Sequence, residues 1–386
     1  MKNKTFTIKK ITLNKSSVDI IWDDNHKSHF HFLWLRDNCQ TSFHPDTRMR
    51  RFNILDVSKN IHPIDCKIAE NGNLYINWSE HNHKSIFNPK WLRENCYTGI
   101  EHKTNYQPYT LWDSSLKKKL KLLTIEYQEV IDSDEGLKKW LEALNSYGLT
   151  IVKNAPFEKK SALKILKRIS HIRETFFGTP FEVINIPKPN NQAYTSDSLT
   201  SHTDLPYYEY TPGYQFLHCL ENKAKGGEST VIDGFKVASD LKKNNIEAFN
   251  LLTKTPINFK DNDYTQDKIR HHYSPIINLS NLGDFVDIRF NMGAMGTLNL
   301  KQNLMKKYYE AYRNFADLVH KKKFLLSFRL EKGDIFSFNN RRILHGRTSF
   351  DPNSGRRHLQ GYYLDKDEII SRLNYLRAVF DENHTN

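Results

Sequence analysis

From about Glu182 to Tyr363 the chain reads mostly as short strands separated by Pro, Gly, Asn and Asp. No other feature constrains the fold as much. Strands this short cannot bury their apolar faces alone, so they must close in layers. Many short strands with turn signals predict a β-sandwich or jelly roll. Two helical patterns interrupt the series, near residues 237–252 and 302–320. Ahead of it, Leu137, Trp140, Leu141 and Leu144 recur at helical spacing within 133–147, with Ser133 as N-cap and Gly148 as the stop. A strand at 149–152 and a helix at about 160–172 follow. The expected class is mainly β with flanking helices.

The first 90 residues read differently. Segments 7–13 and 17–22 alternate like strands, with Asp23-Asp24-Asn25 as a turn after them. Another strand is expected at 73–78 and a short helix at 88–96. The segment 98–113, containing Pro108, is irregular. The expected division is a small β-rich N-terminal domain over 1–97, a linker over 98–115 and a larger domain over 116–386. No internal repeat is read from the sequence.

Charge and cysteine usage narrow the class. The net charge is +13 and the pI about 9.3, but the Lys runs at 117–119 and 321–323 sit beside helical patterns as solvated faces. Nucleic-acid binding is not expected, because aromatic residues do not interleave those charges. No apolar run reaches the ~18–20 residues of a membrane span, and the N-terminus has no secretory apolar stretch, so a cytoplasmic protein is expected. Cys39, Cys66, Cys96 and Cys219 are scattered with no CxxC pair, and no disulfide is expected.

The sharpest local signal is His202-Thr203-Asp204. Residues two apart on an extended segment point to one side and can take adjacent positions on one metal. A third ligand must come from elsewhere, and His345 is the candidate, delivered at the far end of an alternating strand and followed by Gly346 and Arg347. Two His and one carboxylate on one face leave open positions, as in non-haem Fe(II) oxygenases. A basic residue beyond the distal His suits a dicarboxylate co-substrate, which needs a guanidinium for its remote carboxylate.

The ordered set WLRDNC (34–39), HTDLP (202–206), GYQFLHCL (213–220), KGGESTVIDGF (225–235), RFNMG (289–293), FNNRRILHGR (338–347) and RRHLQGYYLD (356–365) resembles the γ-butyrobetaine dioxygenase and trimethyllysine dioxygenase family, within the taurine-dioxygenase-like superfamily. The resemblance implies a double-stranded β-helix (jelly roll) catalytic domain behind a small N-terminal domain, and Fe(II), 2-oxoglutarate and O2, with a need for ascorbate left open. It implies His202, Asp204 and His345 as catalytic iron ligands. It puts Arg357 on the 5-carboxylate of 2-oxoglutarate, with Arg356 as the neighbouring alternative, and Ser229 near the co-substrate. An aromatic cage of Phe177, Phe181, Tyr194 and Tyr363 would hold a trimethylammonium group, and Asn191 and Asn291 its carboxylate. It implies a homodimer.

The chain also departs from that family. Phe177 and Phe181 stand where Tyr and Trp occur in the animal enzymes, and Leu205 replaces an aromatic beside the metal Asp. A cluster of three Cys with a distant His, which binds zinc in relatives, is reduced to Cys39, His44 and His83, so zinc is not expected. The favoured reaction is hydroxylation of γ-butyrobetaine to L-carnitine. A trimethylammonium phosphonate and trimethyllysine are the alternatives; Arg289 would favour the phosphonate if its side chain points inward. Two readings from other classes stay open: a non-catalytic basic binding protein on a degenerate oxygenase fold, and a metal-dependent hydrolase. A hydrolase would have no use for Arg357.

Overall fold

The structure, a computed structural model, describes residues 6–80, 83–99, 109–185, 195–264 and 266–382. The chain divides into two compact units, Met1–Lys103 and Thr104–Asn386.

The first unit is built twice over. Strands β1 (Ile8–Leu13), β2 (Ser17–Trp22) and β3 (Lys27–His31) form one antiparallel sheet, followed by helix α1 (Phe32–Asp37). Strands β4 (Pro63–Ile68), β5 (Leu74–Trp78) and β6 (Lys84–Phe87) form a second, followed by α2 (Pro89–Glu94). The details repeat too. Buried Trp22 donates its indole N–H to Ser28 at 2.8 Å, and buried Trp78 to Ser85 at 2.8 Å. WLRDNC at 34–39 is echoed by WLRENC at 91–96. The expectation of no internal repeat is therefore corrected. Outside the Trp, Ser and helix positions the copies have diverged, so periodicity alone does not expose them.

The copies also exchange partners. Cys96 of the second lies 3.6 Å from His26 of the first, while Cys39 of the first reaches His83 of the second through Thr41, at 3.1 and 3.3 Å. His44 turns elsewhere, its Nδ1 facing the backbone N–H groups of Asp46 and Thr47.

The second unit carries two sheets. The larger has the order β7-β8-β19-β11-β22-β9: β7 (Thr124–Glu126), β8 (Leu149–Lys153), β19 (Ile335–Asn339), β11 (Tyr214–Asn222), β22 (Arg357–Leu364) and β9 (Phe181–Ile184). The smaller has the order β10-β20-β13-β18: β10 (Leu199–His202), β20 (Ile343–Arg347), β13 (Ser229–Asp233) and β18 (Leu326–Phe328). Three ribbons complete the unit: β12 (Lys225–Gly226) with β21 (Phe350–Asp351), β14 (Ile257–Asp263) with β15 (Lys268–Ser274), and β16 (Ile277–Leu279) with β17 (Phe285–Ile288).

Alternation along the strands explains the layers. Tyr214 and Phe216 of β11 and Tyr362 and Leu364 of β22 pack outward against α3 (Tyr127–Asp132), α4 (Asp134–Tyr147), α5 (Leu163–Leu166) and α9 (Lys366–Glu382). Cys219, Leu359, Phe336 and Phe338 point inward and meet Val231, Leu326 and Ile343 of the smaller sheet. Helices α6 (Gly234–Asn244), α7 (Ile246–Lys254) and α8 (Gln302–Val319) form another apolar cluster with β14, β16 and β17. This is the jelly roll expected from the sequence.

Packing rather than propensity holds these helices. A 14-residue helix such as α4 is marginal alone, but Leu137, Trp140, Leu141 and Leu144 are fully buried, each contributing about 1.5–3 kcal/mol. Ser133 accepts from the Gly136 N–H at its start, and Gly148 at φ 77 ends it. Two helix expectations are corrected. The 237–252 pattern is broken at Asn245, whose side chain caps α7 by accepting from the Ala248 N–H. Of 160–172 only α5 is α-helical.

Candidate metal centre and substrate cavity

The antiparallel pairing of β10 with β20 sets His202 opposite His345. Asp204 follows just past the end of β10. His202 Nε2 lies 3.2 Å and His345 Nε2 3.5 Å from Asp204 Oδ1. One ligand atom from each of the three lies within 4.8 Å of the other two, the only such group among the described residues. His202 Nδ1 is 2.7 Å from the Thr200 carbonyl oxygen. That contact makes Nδ1 the donor and leaves the Nε2 lone pair for a metal. The Tyr363 hydroxyl donates to Asp204 Oδ2 at 2.7 Å, leaving Oδ1 to face both imidazoles. The His345 ring lies between those of His202 and Phe338, at 4.4 and 4.6 Å.

The charges suit a cation. Burial opposes ionisation of Asp204, but His345, His202 and the Tyr363 hydroxyl outweigh it and hold the carboxyl well below its usual range. Burial pushes His345 down to about 3, so it is neutral. Burial also lowers His202, but its contacts with Asp204 raise it overall. One carboxylate between two imidazoles is a donor set that fits Fe(II).

The three open onto one cavity lined also by Phe177, Phe181, Leu205, Gln215, Ser229, Asn291, Arg347, Arg357 and Tyr363. Its ends differ. At one, Ser229 of β13 pairs across the sheet with Arg347, and Arg357 is buried with its Nε lacking a hydrogen-bond partner among the described residues. Burial pushes both guanidinium groups down to about 10, and the Arg347 charge adds to the effect on Arg357. They stay charged at neutral pH, so this end is cationic. Gly227, at φ 72, lets the 225–229 loop close over Arg357, where a Cβ would come 3.0 Å from Nε. Arg356, by contrast, is exposed and lies 3.9 Å from Glu221.

At the other end the walls are aromatic. Phe181 stacks on Tyr363 with centroids 5.0 Å apart, and Phe177 is 5.9 Å from Phe181. Asn291 Oδ1 accepts from the N–H groups of Gly293 and Ala294 at 3.0 and 3.2 Å, so its Nδ2 is the group left to donate. Asn191 and Tyr194 lie outside the described residues.

Residues 106–363 match the taurine catabolism dioxygenase TauD, TfdA family, and residues 10–93 match the gamma-butyrobetaine hydroxylase-like N-terminal family. The chain is 37% identical over 363 residues to gamma-butyrobetaine dioxygenase of Pseudomonas sp. (strain AK-1), covering 93% of both. It is 28% identical over 351 residues to the mitochondrial trimethyllysine dioxygenase of Rattus norvegicus, covering 89% of this chain and 81% of that one. Among solved structures, the non-heme iron oxygenase OrfP in complex with Fe and alpha-ketoglutaric acid superposes with a TM-score of 0.48 at 18% identity, covering 60% of this chain and 80% of that one. The chain belongs to the TauD, TfdA dioxygenase family. It is an Fe(II)- and 2-oxoglutarate-dependent dioxygenase.

Sequence reasoning missed the side chains that hold the Asp204 loop of this TauD-family dioxygenase. Asn340, 1% exposed, accepts from the Asp204 N–H at 2.7 Å and donates to the carbonyls of Asp204 and Pro212 at 3.1 and 3.2 Å. Asn340 stood inside FNNRRILHGR, but only its pairing with a loop 136 positions away gives it a task. Arg289 does not point at the cavity as a phosphonate partner would. It is 5% exposed and donates to the carbonyls of Pro206, Tyr208 and Glu209 at 3.0, 2.6 and 2.8 Å. The two clamps hold the backbone on either side of Leu205, which sits at φ 54. That conformation costs a non-glycine residue of order 1–3 kcal/mol and persists only when its neighbours enforce it.

Proposed function

We propose that the second unit is the catalytic domain and hydroxylates γ-butyrobetaine to L-carnitine, with Fe(II) held by His202, Asp204 and His345. One observation carries this reading: a single cavity sets the His/Asp/His group between a cationic end and an aromatic wall. Arg357, beside Ser229, takes the 5-carboxylate of 2-oxoglutarate as a charge-assisted fork. With iron bound, 2-oxoglutarate and O2 supply the oxidant, yielding succinate and CO2 as one oxygen atom enters a substrate C–H bond.

The chain's own residues bind and orient. A quaternary ammonium cannot donate a hydrogen bond, so it lies against the faces of Phe177, Phe181 and Tyr363, at ~0.5–2 kcal/mol per ring; the family resemblance adds Tyr194 to this cage. Asn291 Nδ2 donates to the substrate carboxylate, a role that the family resemblance also gives to Asn191. Fixing both ends presents one C–H to the metal side. Tyr363 serves twice, its ring toward the substrate and its hydroxyl steadying Asp204. Homology to gamma-butyrobetaine dioxygenase at 37% identity supports the carboxylate substrate, and engagement of Arg289 by three carbonyls removes the argument for a phosphonate. A homodimeric, cytoplasmic enzyme belongs to the same reading. Among the described residues no helix is long and apolar enough to cross a membrane.

The test is succinate formation by Fe(II)-loaded protein with γ-butyrobetaine, trimethyllysine or 2-(trimethylammonio)ethylphosphonate. The expected result is strong stimulation by γ-butyrobetaine with stoichiometric carnitine. Preference for either other compound would reject the substrate assignment. His202→Ala should lose iron uptake and turnover together.

A further inference from the structure

We propose that Gly361 is the specificity-determining position of the aromatic end of the cavity, because the side chain it lacks is the seat of the Phe181 ring. The inference rests on the reading above that Phe181 faces the ammonium group of the substrate.

Gly361 lies in the middle of β22, between inward-facing Leu359 and Tyr363. By the two-residue period of a strand its side chain would point into the cavity with theirs. It pairs directly with Phe181 of β9 on one side and Leu217 of β11 on the other. The Phe181 ring folds back across the strand and fills the space. A Cβ at 361 would stand 2.0 Å from Phe181 Cζ, 2.1 Å from Cε2 and 2.6 Å from Cε1. Those are the outer carbons of the ring, so the ring lies over the glycine.

A contact that close cannot be absorbed, and the backbone is in no position to yield. β22 is buried along its whole length and hydrogen-bonded on both sides. The ring must therefore rotate out of its seat. Because Phe181 stacks on Tyr363 at 5.0 Å and touches Phe177 at 5.9 Å, that rotation dismantles the wall. Alanine at 361 would thus reset the space for the trimethylammonium group from the opposite strand. A ring pushed into the cavity crowds three methyl groups more than two. A ring pushed away removes the aromatic face on which a quaternary cation depends most. Both movements shift preference from the trimethylammonium substrate toward a dimethylamino analogue, whose N–H can still find an acceptor.

The experiment compares full-length Fe(II)-loaded parent, Gly361→Ala, Phe181→Ala and the double variant, measuring KM for γ-butyrobetaine and for 4-(dimethylamino)butyrate, with melting temperature alongside. Loss of one ring contact predicts a KM for γ-butyrobetaine raised about 2- to 30-fold in G361A and in F181A. The KM ratio should move toward the dimethylamino compound. The double variant should be no worse than F181A alone, since the ring that Gly361 seats is already gone. Should G361A alone fail to fold, the double variant is expected to fold, and a double variant that also fails overturns the proposal. A G361A enzyme with parental KM values, or penalties that multiply in the double variant while F181A retains its own, overturns the role of Gly361 only. An F181A enzyme with parental KM values sinks the aromatic-wall reading and this inference with it.

Discussion

Asn340→Ala removes the most concentrated support of the metal carboxylate. The Asn340 side chain is almost fully buried and makes three hydrogen bonds to backbone, two of them to Asp204 itself. Truncation leaves the Asp204 N–H, its carbonyl and the Pro212 carbonyl without partners, at roughly 1–3 kcal/mol for each buried group. Water entering the vacated space recovers part of that. Counting only the two bonds to Asp204, about 2–3 kcal/mol of positioning is lost, or ~30–150-fold in Fe(II) affinity at 1.4 kcal/mol per tenfold. That agrees with the 10- to 100-fold typical of residues that orient metal ligands. The assay is anaerobic calorimetric titration with Fe(II). Asn339→Ala serves as the control from the same turn, since Asn339 Oδ1 accepts from the Arg341 N–H and not from the Asp204 loop. A folded N340A protein binding Fe(II) within about threefold of the parent would refute the reasoning.

Three other outcomes are expected. Arg357→Met should raise the KM for 2-oxoglutarate by ~100-fold or more, from the loss of a charge-assisted pair at roughly 1.5–3 kcal/mol per bond; an unchanged KM in initial-rate assays would move the co-substrate site elsewhere. Arg342→Met should lower the melting temperature by on the order of 10 °C, because Arg342 and Asp233 form an ion pair at 2.7 Å with both side chains fully buried, and stranding one such charge costs about 3–5 kcal/mol. His218 is fully buried and pushed by desolvation from 6.5 down to about 4. The fold keeps it neutral while the unfolded chain protonates it, so stability is complete above pH 6.5 and falls by up to about 3 kcal/mol as pH drops toward 4. His218→Leu should flatten melting temperature against pH across that window, and an unchanged slope would assign the acid sensitivity to other groups.

Much of the architecture could be read from local pattern. Alternation at 17–22 and helical spacing at Leu137, Trp140, Leu141 and Leu144 each report which side of an element is buried, and burial is what holds those elements. The pattern was less informative where one side chain interrupts it. Asn245 caps α7 and splits a continuous helical period in two. The first unit hid its duplication because the copies agree at the Trp–Ser pairs and the helix motif, while the strands between share only the tolerance of a half-buried face.

At the candidate site the division is sharper. Sequence by itself determined residue types and short spacings: His202 and Asp204 two apart on one segment, a His at the end of an alternating strand, and paired Arg beyond it. Only the tertiary structure decided what lies across the strands. It gave Asn340 to Asp204, turned Arg289 onto carbonyls instead of the cavity, aimed the Tyr363 hydroxyl at the carboxylate, and laid Phe181 over Gly361. Side-chain direction along one strand follows from a two-residue period that any sequence displays. Which residue faces it follows from register and loop closure, summed over the buried faces of both sheets.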